Sequence, residues 1–193
     1  MLGHLVERCA AAVGLERVVV ATSTDPTDDA VAAHARERGV AVFRGPLEDV
    51  FGRLRACLLA HPAEWFFRVS GDSPLLDPAI MKAMLPLAVP GRDVVTNVFP
   101  RSFPKGQSAE LLRAAAFLAV DPAVLTASQR EHVTTVFYDH PERFRIVNVE
   151  SGRPDWPGAP VVVDTREDLA RLEAAYPAGL PLPSWAPIAR SAA

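Results

Sequence analysis

Short apolar runs alternating with stretches of helical periodicity leave this chain few architectures. Val18-Val19-Val20-Ala21, Val40-Ala41-Val42-Phe43, Trp65-Phe66-Phe67 and Val94-Val95-Thr96 each read as a buried strand, short and rich in aromatic or β-branched residues. Between them the spacing predicts helices over about 28–38, 48–60 and 78–87, the first stopped by Gly39. Leu2, Leu5, Val6, Cys9 and Val13 recur at helical spacing ahead of Gly14, so the chain opens inside an amphipathic helix. Strands joined by helices call for an α/β fold: a mainly parallel sheet, right-handed crossovers, and helices on both faces.

The rhythm changes after Asn97. Phe99-Pro100-Arg101-Ser102-Phe103-Pro104-Lys105-Gly106 is a Pro-rich loop carrying two cations. A short strand over 108–112, helices over 113–120 and 129–138 and a strand over 145–149 are expected next. Val161-Val162-Val163 is a further strand ending at Asp164, and Thr165 is placed to cap a helix over 166–176. Residues 1–176 thus read as one α/β domain. Pro181, Pro183 and Pro187 make 177–193 a tail that is not regular helix. At 193 residues, one well-buried domain is the expectation. A formal net charge of -3 supplies no basic field for nucleic acid. No apolar run is long enough for a membrane span, and Met1 to Arg8 lacks a signal-peptide layout. Cys9 and Cys57 read as small buried hydrophobes of a cytoplasmic protein.

Chemistry is expected at strand ends. Trp65-Phe66-Phe67-Arg68-Val69-Ser70-Gly71-Asp72-Ser73-Pro74 is an apolar strand that breaks at Gly71 and presents one carboxylate. Val161-Val162-Val163-Asp164-Thr165 repeats that pattern. If both strands lie in one sheet and run the same way, Asp72 and Asp164 meet at its carboxyl edge, where open α/β sheets bind ligands. Two converging carboxylates suit Mg²⁺, which keeps several waters and reaches for substrate phosphates. The alternative is two independent helix caps. Arg44 directly follows a strand and can fork onto a phosphate, and Lys105 is a movable point charge between Pro104 and Gly106. Asn97 ends a strand, as a base or sugar contact or as a turn former. His132, on a helix beside Glu131, is either a structural histidine or a base. There is no Gly-x-Gly-x-x-Gly, no Gly-x-Ser-x-Gly and no Cys-His cluster, which argues against a dinucleotide-binding dehydrogenase, an esterase or a zinc enzyme.

The motifs and their order carry a resemblance. Val18 to Asp29, Val42 to Val50 (Val-Phe-Arg-Gly-Pro-Leu-Glu-Asp-Val), Arg68 to Pro78 (Arg-Val-Ser-Gly-Asp-Ser-Pro-Leu-Leu-Asp-Pro), Phe103-Pro104-Lys105-Gly106, Arg130-Glu131-His132-Val133-Thr134 and Val163 to Leu169 follow one another. Together they resemble the sugar cytidylyltransferase family, in its spore-coat polysaccharide biosynthesis branch, which is similar to the acylneuraminate and Kdo cytidylyltransferases. The resemblance implies a Rossmann-like sheet of the nucleotide-diphospho-sugar transferase type. It also implies transfer of CMP from CTP to an acidic or modified sugar, with release of pyrophosphate. By resemblance Asp72 and Asp164 are the Mg²⁺-binding acids. Thr22 and Ser23 lie beside the nucleotide, and Arg44 and Asp49 border it. Lys105, Glu110, Arg130 and His132 face the sugar. A homodimer, with the region from Phe99 to Glu110 as its arm, is expected by the same analogy.

One departure bears on activity. The family opens with a strand and a loop of the pattern Gln-x-Arg-x-x-Ser-x-Arg-x-Pro-x-Lys, whose amides and cations cradle the triphosphate. Here Met1-Leu2-Gly3-His4-Leu5 already begins the following helix. The expectation is therefore a sheet lacking its first, central strand and a chain that does not turn over as it stands. A start codon assigned too far downstream is the favoured explanation, ahead of a fragment or a degenerate protein. Two other functions compete. A metal-dependent glycosyltransferase needs an Asp-x-Asp pair, whereas Asp72 is followed by Ser73-Pro74. A non-catalytic binding or oligomerising module would show no Mg²⁺-dependent nucleotide binding.

Overall fold

The computed structural model describes residues 1–152 and 160–176, together with the backbone of 189–191. Helix α1 (Leu2–Val13) ends at Gly14, whose φ of +93° is a turn that side-chain-bearing residues resist. Strand β1 (Val19–Ser23), helix α2 (Asp29–Glu37) and strand β2 (Ala41–Gly45) form a parallel unit in which Val19 lies opposite Ala41 and Ser23 opposite Gly45. Helix α3 (Val50–Ala60) leads to β3 (Trp65–Arg68), α4 (Pro78–Met84) and β4 (Val94–Thr96). Strand β5 (Glu110–Arg113), helices α5 (Ala114–Leu118), α6 (Ala127–His132) and α7 (Thr135–Asp139), and strand β6 (Ile146–Glu150) come next. Helix α8 (Arg166–Ala175) and strand β7 (Ala189–Ser191) complete the order.

The second sheet has the order β3-β5-β4-β6-β7. β4 and β6 are parallel, while β5 runs antiparallel to both β3 and β4, so β3, β4 and β6 share one direction. β7 pairs antiparallel with β6. Alternation of side chains across the pleat gives this sheet two apolar faces. Phe67, Leu111, Val95 and Val147 pack with Leu76, Ile80 and Met84 on the side of α1 and α4. Phe66, Leu112, Val94 and Ile146 pack with Phe51, Phe117 and Phe137 on the side of α3, α5 and α7.

Two helices join the sheets. Leu5 of α1 sits in the core of the five-stranded sheet, and its neighbour Val6 packs with Ala35 and Val40 on the two-stranded one. Helix α3 packs on β1 and β2 while Phe51 and Leu58 enter the core beside β4 and β5. Among the described residues no strand pairs with β1 except β2, and none with β3 except β5.

Two expectations are corrected. The helix predicted over 129–138 is two helices, because Val133 takes φ +56° and ψ −61° and Thr134 N–H donates to His132 C=O (2.6 Å), a tight three-residue turn. Val161–Val163 is a strand of neither sheet, since its backbone N–H groups donate to the loops at Lys105 and Asp72. Strand β7 lies within the Pro-rich tail, of which 177–188 and 192–193 fall outside the described residues. Both cysteines are free, Cys57 buried and Cys9 partly so, as expected of small hydrophobes. Among the described residues, no helix is long and apolar enough to cross a membrane.

Candidate active site

The loop after β3 is fastened from three sides. Arg8 Nη1 donates to Leu76 C=O (3.2 Å). The wholly buried Gln107 accepts from Asp77 N–H (2.8 Å) and donates to Leu75 C=O (2.6 Å). Finally, Val163 N–H donates to Asp72 C=O (2.9 Å). Two residues earlier on the same segment, Val161 N–H donates to Lys105 C=O (2.8 Å). That approach requires glycine at 106, where φ is +93° and a Cβ would stand 2.5 Å from the Val161 carbonyl carbon. The 161–163 segment therefore lies against the Asp72 and Lys105 loops together, and Asp164 is the next residue along it.

Neither acid caps a helix. Asp77 caps α4 by accepting from Ala79 N–H (2.8 Å), and Thr165 caps α8 in a reciprocal box with Asp168. Hydrogen bonds from Arg171 and Thr165 hold the Asp168 carboxyl down at about 2, so that acid is committed to the box. Asp72 Oδ1 accepts from the Ser73 hydroxyl (2.8 Å). Among the described residues the Asp164 carboxylate and the Lys105 ammonium take no hydrogen bond or ion pair, and both residues are exposed. The backbone segments that carry Asp72, Asp164 and Lys105 thus lie against one another, and among the described residues none of the three side chains forms an ion pair.

A different arrangement holds Thr22, Ser23 and Arg44. Thr22 and Ser23 are buried at the carboxyl end of β1; the Thr22 hydroxyl (2.8 Å) and Ser23 N–H (2.9 Å) both donate to Asp28 Oδ2. Those hydrogen bonds, from Ser23 first and then Thr22, hold the Asp28 carboxyl below its ordinary range. Arg44 spends its fork on the same loop, donating to Ser23 C=O (2.6 Å), Asp29 Oδ1 (2.6 Å) and Asp25 C=O (2.9 Å). Asp49 caps α3 through Gly52 N–H (2.9 Å) and pairs with Arg130 at 3.4 Å. Arg130 also donates to Pro122 C=O, tying α6 to the turn before it.

Asn97, fully buried, donates to Gln107 C=O (2.6 Å) and accepts from Ala109 N–H (3.0 Å), so its amide closes the 98–109 loop. Glu110 is 3% exposed and accepts from the Tyr138 hydroxyl (2.6 Å) and Arg68 Nη1 (3.2 Å). Burial and the Glu110 charge push the Tyr138 phenol far up, keeping it a neutral donor. His132 is exposed immediately before the strained Val133 turn, with no side-chain partner among the described residues. Reading the sequence missed Gln107, Tyr138 and the partners of Arg68. Arg68 stands in a quoted motif, but only the pairing of β3 with β5 discloses what it faces.

Comparison with known proteins agrees with this architecture. A family profile described as Cytidylyltransferase matches residues 1–173. Over 165 residues the chain is 29% identical to the spore coat polysaccharide biosynthesis protein SpsF of Bacillus subtilis, spanning 83% of this chain and 67% of that one. A solved cytidylyltransferase from Leptospira borgpetersenii superposes with a TM-score of 0.86 at 27% identity, covering 93% of this chain and 76% of that one. CMP:2-keto-3-deoxy-manno-octonic acid synthetase, complexed with CTP, superposes with a TM-score of 0.65 over 90% of this chain and 86% of that one. At 15% identity this last likeness is one of fold, the Rossmann-like fold of nucleotide-diphospho-sugar transferases.

Proposed function

The chain belongs to the cytidylyltransferase family, and on that premise we propose that its site is built to move CMP from CTP to an oxygen of a sugar acid, with Asp72 and Asp164 holding a divalent cation. The observation that supports this reading is the bond from Val163 N–H to Asp72 C=O, which lays the backbone leading into Asp164 against the loop that carries Asp72. Among the described residues no group of three or more His, Cys, Asp or Glu could enclose a metal. A two-carboxylate donor set fits Mg²⁺, which keeps waters and completes its shell with substrate phosphates. When bound, such an ion supplies charge neutralisation at the phosphates.

Everything else falls to the protein. Lys105, held beside the acids by its own carbonyl, offers a mobile cation to the departing pyrophosphate. The sugar oxygen attacks the α-phosphorus in line, the bond to the β-phosphate oxygen breaks, and positioning is the main work of the site. Thr22, Ser23 and Arg44 shape the rim bordering the nucleotide through bonds to the loop from Ser23 to Asp29, and Asp49 borders it from the start of α3. Asn97 fixes the loop that carries Lys105, while Glu110, Arg130 and His132 line the acceptor side. Titrating CTP with and without Mg²⁺ tests the site. Asp72→Asn and Asp164→Asn are each expected to lower Mg²⁺-dependent CTP affinity by about tenfold or more, one charged contact's worth. Unchanged affinity in both variants would remove the assignment.

A further inference from the structure

A polar row crosses the five-stranded sheet at its carboxyl rim, and one member has donors to spare. Arg68 lies opposite Glu110, Glu110 opposite Thr96, and Thr96 opposite Asn148. Opposed residues share a face of the sheet, and the row one step inward on that face is Phe66, Leu112, Val94 and Ile146, all in the apolar core. A carboxylate as buried as Glu110 needs charged and hydrogen-bonded partners. It has Arg68 and the Tyr138 hydroxyl, which also meets Thr96 Oγ1 (2.8 Å). Asn148 spends its amide on Phe99 N–H (3.2 Å) and Pro100 C=O (2.9 Å). The Tyr138 ring is stacked on Phe99 at 4.9 Å between centroids.

Arg68 differs from its neighbours. Among the described residues it makes one hydrogen bond, although a guanidinium carries five N–H donors, and its side chain is 23% exposed. It is the last residue of β3 and precedes Asp72 by one short turn of chain, on the edge where open α/β sheets take ligands. We propose that Arg68 grips the carboxylate of the acceptor sugar acid and that Glu110 and Tyr138 are the residues that position it. This rests on the cytidylyltransferase reading above. Glu110 cancels much of the long-range field of Arg68 and leaves directional donors, which match a planar carboxylate. The diffuse charge of a triphosphate is better met by the unpaired Lys105. Glu110 therefore acts on the sugar through Arg68.

Calorimetry on this chain separates the possibilities, with Mg–CTP as one probe and 2-keto-3-deoxy-manno-octonic acid, added with saturating Mg–CMP, as the other. R68K keeps the charge and loses the fork. The double variant R68Q/E110Q removes both charges and leaves no uncompensated buried carboxylate, so it keeps the fold. Both are expected to weaken the acid about tenfold, the factor of one charged hydrogen bond, and to leave Mg–CTP within about twofold. Y138F is expected to weaken the acid less and to broaden the Arg68 Nε–H resonance, a change that mere loss of stability does not produce. Equal losses for both probes would make Arg68 a phosphate contact and overturn the assignment. So would unchanged acid binding in R68K, or a wild-type chain that binds Mg–CTP and ignores the acid. A wild-type chain that binds no Mg–CTP would instead overturn the cytidylyl-transfer reading.

Discussion

Strands β1 and β4 are written in nearly the same letters, Val-Val-Ala-Thr-Ser and Val-Val-Thr, and they end in different surroundings. β4 has a neighbour on each side and is wholly buried. Among the described residues β1 pairs only with β2, and its three apolar residues are half-covered. β3, with one neighbour, is half-covered along its whole length despite two phenylalanines and a tryptophan. Apolar composition predicts that a run will be a strand, but the number of flanking strands decides how deeply it is buried. The consequence is a molecule with a firm half, which carries Asp72, Lys105 and the Arg68 row, and a looser half, which carries Thr22, Ser23 and Arg44.

The sharpest test of that contrast removes the same two methyl groups from each half. Val94→Ala opens a cavity in a fully buried strand and is expected to cost about 2–3 kcal/mol, the transfer term plus the cavity term. Val20→Ala, in a half-covered strand that can relax toward solvent, is expected to cost about 1 kcal/mol. Urea unfolding of the two variants measures both. Equal losses would mean that the two sheets share one core, and the comparison would fail.

Acidification should separate the halves next. The Asp93 carboxyl is pushed up by burial but brought below its ordinary range by hydrogen bonds from Arg145 and by the Arg145 and Arg113 charges. Asp28 is lowered by hydrogen bonds from Ser23 and Thr22. A depressed folded pKa contributes stability that is present above the unfolded value, about 4, and lost as pH falls through the folded one. Both anchors therefore weaken in acid. Asp93 ties β4 to the residue before β6 and shares its load with buried strands on both sides. Asp28 holds the end of β1 with one neighbour behind it. Hydrogen exchange followed from neutral pH to about pH 3.5 should show the β1 and β2 amides opening before those of β4 and β6. The reverse order would place the weak half on the wrong side.

Which features could be read from the sequence follows from the range of the interactions involved. The alternation of strands and helices was visible because it depends on local periodicity, and Asp72 and Asp164 could be singled out because each follows an apolar run. The antiparallel insertion of β5 between β3 and β4 was not, since pairing of Arg68 with Glu110 joins residues far apart in the chain and leaves no local mark. The break at Val133 was hidden for the opposite reason: a buried β-branched residue is the last one expected to take a positive φ. Arg44 illustrates a third limit. Its expected place after a strand suggested a phosphate fork; it lies within β2, and its guanidinium donates to Ser23, Asp25 and Asp29 of the neighbouring loop, contacts that no local pattern marks.

The smallest expected effect concerns how the looser half is fastened to the rest. Glu7 of α1 and Arg38, which follows α2, meet at 2.8 Å with both side chains exposed to water. Beside them Val6 packs on Ala35 and Val40 in a small apolar seam. An exposed ion pair gains little, because water screens it and two long side chains must be held still, so Glu7→Gln is expected to change stability by no more than about 0.5 kcal/mol. Val6→Ala, which opens the seam, should cost more. If Glu7→Gln were the costlier change, and its effect faded in molar salt, charge rather than packing would fasten the two-stranded sheet. An electrostatic tether, rather than the apolar seam, would then hold β1 and β2 to the rest of the molecule.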